Sequence, residues 1–106
     1  MTSKDLVDTV ISSLEDIKAY DIKVLDVTKL TSLFDYMIIA SADSTRQAKA
    51  LAVNVQEKVK SAGRSVYSVE GEQTGGWVLV DMGDVIIHIM QPAMREYYSL
   101  ETLWTH

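Results

Sequence analysis

Four groups of side chains have the types and spacing that chemistry requires. Asp26, Asp35, Asp81 and Asp84 are the acids that a phosphoryl-transfer site would gather around a metal ion, which demands that they converge. Asp81 and Asp84 flank a Met-Gly dipeptide, where aspartates commonly close a turn, so catalysis is the weaker reading. His88, in an apolar run, titrates near neutrality and suits a general base, but no serine or cysteine nucleophile accompanies it in a recognisable signature. Ser41, Asp43, Ser44, Thr45 and Arg46 stand where a strand gives way to a helix, so free N–H groups and the helix dipole could hold an anion. Capping explains them more simply, since the glycine spacing of a phosphate loop is missing and Asp43 would repel an anion. Trp77 follows Gly75-Gly76 at a loop-to-strand position that suits a core anchor and a binding hot spot equally. With Leu79, Asp81 and Met82 it would make an apolar patch with an acidic border, fitted to a basic protein partner.

These residues depend on the stretch Trp77 to Met90, the most apolar and β-prone part of the chain. Asp81-Met82-Gly83-Asp84 separates two Val/Ile/Leu-rich runs and reads as a tight turn, giving an antiparallel hairpin. Both runs are apolar almost without alternation, which predicts a sheet covered by helices on either side. Upstream, Leu6, Val7, Val10, Ile11, Leu14 and Ile17 mark one face of a helix over 5–20, opened by a Thr2/Asp5 capping box. Residues 22–27 and 36–40 read as strands. Ser44 and Gln47 form a capping box for a helix with the stripe Ala48, Leu51, Ala52, Val55, Val59 and Ala62, stopped by Gly63. A third strand at 65–69 has the polar admixture of a sheet edge. Pro92 suits the first turn of a short helical tail. Tyr97, Tyr98, Leu100, Leu103 and Trp104 would seal that tail onto the sheet or meet a second copy of the chain. The helix between parallel strands and the antiparallel hairpin together give an α/β fold with a mixed sheet in a single domain, residues 1–106.

With 106 residues, 47% hydrophobic and 24% charged, the composition is that of an ordinary globular domain. A net charge of -5 with no basic cluster disfavours direct nucleic-acid binding, yet suits a basic protein partner. The absence of cysteine removes disulfides and thiolate metal sites, and two histidines are too few for zinc. No cofactor is expected. Met-Thr-Ser-Lys-Asp-Leu-Val lacks the charge and apolar core of a leader, and no run approaches the roughly 18 apolar residues of a membrane span, so a cytoplasmic location is expected.

Several motifs together resemble the ribosomal silencing factor family, also called Iojap-related. They are Phe34 to Ile39, Ser44-Thr45-Arg46-Gln47, Glu70-Gly71, Trp77 to His88, and Arg95-Glu96-Tyr97-Tyr98-Ser99-Leu100-Glu101-Thr102-Leu103-Trp104. They fall in the family's order over nearly the whole chain. The resemblance implies a cytoplasmic, non-enzymatic factor that binds ribosomal protein L-fourteen on the large subunit. By blocking the small subunit from joining, it would damp translation when nutrients are short. It also implies a nucleotidyltransferase-like fold, frequent homodimers, and a partner-facing surface at Trp77, Leu79, Asp81, Met82 and His88 with Glu70 and Glu72 as acidic rim. The glycine-serine and Asp-x-Asp signatures of active nucleotidyltransferases are absent, which points to lost catalysis.

Overall fold

The computed structural model describes residues 2–104; the side chain of Trp104, one of the expected C-terminal packing residues, lies outside the described set. The elements are α1 (Ser3–Asp16), β1 (Tyr20–Asp26), β2 (Tyr36–Ser41), α2 (Thr45–Ser61), β3 (Ser68–Glu70), β4 (Trp77–Asp81), β5 (Val85–Met90), α3 (Pro92–Tyr98) and α4 (Leu100–Trp104). One five-stranded sheet has the order β1-β2-β5-β4-β3. The β2–β5 pair is parallel and the β1–β2, β4–β5 and β3–β4 pairs are antiparallel, so the sheet is mixed, with β3 at an edge as expected.

The helix starts follow from their caps. Thr2 accepts from Asp5 N–H while Asp5 receives Thr2 N–H, a complete capping box. At α2, Ser44 accepts from Gln47 N–H, but the Gln47 side chain does not return to Ser44 as a full capping box requires. Its oxygen accepts from Asp43 N–H and its nitrogen donates to the carbonyls of Ile17 and Lys18, tying the two long helices together. The first helix stops at Asp16, not Tyr20, because Lys18 turns left-handed at φ 64, a C-terminal bend made without glycine. Ser99, at φ 47, likewise divides the C-terminal tail into two helices.

Leu6, Val7, Val10 and Leu14 of α1 and Ala48, Leu51, Ala52, Val55 and Val59 of α2 pack on Ile38, Ala40, Val78, Val80, Val85, Ile87 and Ile89. These strand residues share one face by the alternation of the pleat. Both long helices therefore cover the same side. The expectation of helices on either side holds, but unequally: the second face receives the short α3 and α4, through Tyr98 and Leu100, because strand hydrophobicity reports that a face avoids water without saying how much covers it. The second face carries a smaller cluster, Met37, Ile39 and Met90, under Leu25, Phe34, Trp77 and Leu100. Among the described residues nothing closes it over Leu79 and Ile86.

What cover exists is held by Arg95, 8% exposed although charged. Its Nε donates to Glu101 at 2.7 Å, and its terminal nitrogen donates to the Ser41 hydroxyl at 2.7 Å and to the Asp21 carbonyl. Burial works against the Glu101 carboxylate, but the Arg95 hydrogen bond, a backbone N–H and the charges of Arg95 and Lys23 together outweigh it and hold its pKa below the usual range. Arg95→Met should lower unfolding stability by about 2–4 kcal/mol, since a buried cation is removed and its partners lose their donor. Urea denaturation measures this, and the same substitution should increase exchange of the α3 amides.

Candidate functional site

The register of the hairpin builds the site. Trp77 pairs with Met90, Leu79 with His88 and Asp81 with Ile86, so all six side chains share the face turned away from α1 and α2. Across the β2–β5 pair, Met37 lies beside Ile86 and Ile39 beside His88. The hairpin turn is held by Gly83 at φ 88, by the Asp81 carboxylate accepting Gly83 N–H at 2.8 Å, and by Met82 N–H donating to Val85. An added Cβ at Gly83 would lie 2.8 Å from the Tyr67 ring, so the turn is also packed.

The result is a groove of about 560 Å³. Leu79 and Ile86 give it an apolar floor, and Leu33, Phe34, Met37, Tyr67, Asp81, Gly83, His88 and Leu100 complete its lining. Leu33 is 81% and Tyr67 72% exposed, large apolar side chains left in solvent at the mouth. In register with Leu79, Glu70 is an exposed carboxylate on the edge strand. Glu72 lies beyond β3 and does not line the groove.

Trp77 is half-buried, between the two roles considered for it. Its indole N–H donates to His88 Nδ1 at 2.9 Å, and its ring lies 4.7 Å from that of Tyr98. Tyr98 in turn meets Tyr97 edge-on at 5.0 Å. Tyr97 and Leu103 stay exposed, whereas Leu100 packs on the smaller cluster. Met82 must be corrected: it is 1% exposed and belongs to the core under the helices, because the turn aims its side chain inward. It cannot present a surface to a partner.

The four aspartates do not assemble as a metal site. Asp26 accepts from Thr28, and Asp81 closes the hairpin turn. Asp35 and Asp84 do approach, both contacting the Ser3 hydroxyl, at 2.6 and 2.8 Å, while Arg64 pairs with Asp84. Burial tends to raise the Asp84 pKa, but the bonds from Arg64 and Ser3 prevail and hold it below the usual range. Among the described residues no group of three or more His, Asp or Glu side chains could hold a metal. The Ser41–Arg46 turn serves as a cap, with Asp43 also accepting from the Tyr20 hydroxyl.

A family model described as "Ribosomal silencing factor during starvation" matches residues 1–106. The chain belongs to the ribosomal silencing factor family. It is 57% identical over 94 residues to the ribosomal silencing factor of Chromobacterium violaceum, covering 89% of this chain and 77% of that one. A crystal structure of a Chromobacterium violaceum protein superposes with a TM-score of 0.96 at 53% identity, over 98% of this chain and 87% of that chain. A mouse protein named for mitochondrial assembly of the large ribosomal subunit is 35% identical over 102 residues, 93% of this chain and 45% of its own length.

Of the groove residues, sequence reasoning missed Leu33, Phe34, Met37, Tyr67 and Ile86. Alternation within the hairpin was the available signal for Ile86, two positions before His88 on one pleat. Nothing local marked Leu33 or Tyr67, which the fold brings together from separate loops.

Burial pushes the His88 imidazole pKa down from 6.5 to about 4. The bond from Trp77 acts in the same sense, because it needs an unprotonated Nδ1. Between those two pH values the unfolded chain binds a proton that the folded chain does not, so stability falls as pH falls through this window. The slope should reach about 1.4 kcal/mol per pH unit at most. Urea titrations from pH 7 to 4 should show it in the native chain, and His88→Gln should flatten it.

Proposed function

We propose that this ribosomal silencing factor docks through the open sheet face onto ribosomal protein L-fourteen of the large subunit and sterically blocks joining of the small subunit. Translation is thereby repressed in the cytoplasm when nutrients are limiting. The observation that carries the reading is the uncovered apolar floor of Leu79 and Ile86, flanked by Trp77 and His88 and bordered by Asp81 and Glu70. Covering a fully exposed apolar side chain contributes roughly 1.5–3 kcal/mol and a half-buried one about half of that, enough for several together to anchor a complex. A net charge of -5 opposes contact with ribosomal RNA and favours a basic ribosomal protein. The mouse relative's name, which refers to the large ribosomal subunit, supports the choice of subunit. Steric exclusion needs affinity and bulk, and no catalysis.

The proposal includes a homodimer, for which the exposed Tyr97 and Leu103 offer surface beside the groove. It reads the nucleotidyltransferase-like resemblance as shape without chemistry. Asp35 and Asp84 are engaged by Ser3 and Arg64, and Asp26 by Thr28.

Co-sedimentation with separated subunits tests the docking. The native chain should travel with the large subunit and reduce the yield of joined ribosomes. Leu79→Lys and Ile86→Lys, at half-exposed positions, should lose docking while unfolding normally, and Trp77→Ala should weaken it by about 2 kcal/mol or more. A native chain that remains at the top of the gradient would remove the proposal. Calorimetry with magnesium and ATP should register no binding heat; a saturable signal would instead support a nucleotide-binding role.

A further inference from the structure

Trp77 and His88 form a side-chain pair whose chemistry leaves one arrangement of protons. An indole nitrogen can only donate, so the 2.9 Å contact requires an unprotonated His88 Nδ1. The neutral ring then carries its proton on Nε2. Rotating the imidazole by half a turn would set a C–H against the indole N–H, which excludes the other orientation. Among the described residues no hydrogen bond engages Nε2, and no buried side-chain nitrogen or oxygen lacks a partner, so this nitrogen keeps access to solvent. His88 lines the groove.

Asp81 sits diagonally across from His88, with Leu79 and Ile86 on the other two corners of the same patch. One Asp81 oxygen accepts from Gly83 N–H at 2.8 Å, and the carboxylate retains acceptor sites beyond that bond. The floor thus offers one fixed neutral donor and one anion on either side of an apolar strip. A phosphate would meet a single uncharged donor and a repelling carboxylate, whereas a peptide carrying a carbonyl next to a basic side chain would satisfy both corners.

Resting on the docking reading above, we infer that Trp77 positions His88 as a fixed Nε2–H donor. The ribosomal partner's docking segment meets it with a carbonyl oxygen while placing a lysine or arginine on Asp81. Trp77 is then a positioning residue, acting through His88 as well as by its own contact area.

Long-range proton–nitrogen spectra of the His88 ring near pH 7 read the tautomer directly. The native chain should show Nε2 protonated and Nδ1 bare, and Trp77→Phe, which keeps the ring and removes the donor, should give a mixture. In co-sedimentation with large subunits, His88→Phe should dock about tenfold more weakly, since the partner's carbonyl is left without a donor. His88→Gln, whose amide can donate near the Nε2 position, should stay within about threefold. Asp81→Asn should weaken docking and reduce its salt dependence. A protonated Nδ1 in the native chain, or His88→Phe docking as tightly as the native chain, overturns the inference and leaves docking intact. A native chain that does not dock overturns the docking reading and this inference with it.

Discussion

Two long helices lie on one side of a five-stranded sheet, and everything else in the molecule answers to that imbalance. The pleat sends alternate side chains of β4 and β5 to opposite faces, so strands apolar on both faces need cover on both. Val78, Val80, Val85, Ile87 and Ile89 find it under α1 and α2. Among the described residues, their alternates meet the short C-terminal helices and the loop before β2. Among the described residues the remainder is an apolar groove bordered by Asp81 and Glu70, the surface on which the proposed docking rests.

The C-terminal cover is an addition held by specific bonds. Arg95 reaches from α3 to Ser41 on β2, to Asp21 on β1 and to Glu101 on α4, placing Leu100 on Met37 and Ile39 and leaving Tyr98 to stack on Trp77. Trp77 therefore belongs to two structures at once. One side of it leans on the tail, and its N–H orients the histidine at the groove. A single residue thus couples the position of the tail to the polar character of the groove.

Much of this was legible in the sequence where local physics decides. The apolar stripes of the two long helices, the Thr2/Asp5 box, the Gly63 stop, the hairpin turn and the edge position of β3 all rest on period or backbone conformation. The end of α1 was not legible, because Lys18 takes a left-handed conformation usually left to glycine. The open face was hidden for a different reason: Leu79 and Ile86 are as apolar as Val80 and Ile87, and composition cannot distinguish a side chain under a helix from one left at a groove. Met82 was misplaced because a turn residue is exposed by default and only the packed hairpin shows it pointing inward. Arg95 belonged to a motif, yet its clamp spans β1, β2 and α4, contacts no local pattern reveals.

A photo-crosslinking side chain at Ile86, with a second chain carrying it at Val53 on the exposed surface of α2, would test the central claim in the presence of large subunits. The account predicts that Ile86 captures ribosomal protein L-fourteen and that Val53 captures no ribosomal protein in comparable yield. Capture of ribosomal RNA from Ile86, or of a ribosomal protein from Val53 alone, would contradict it.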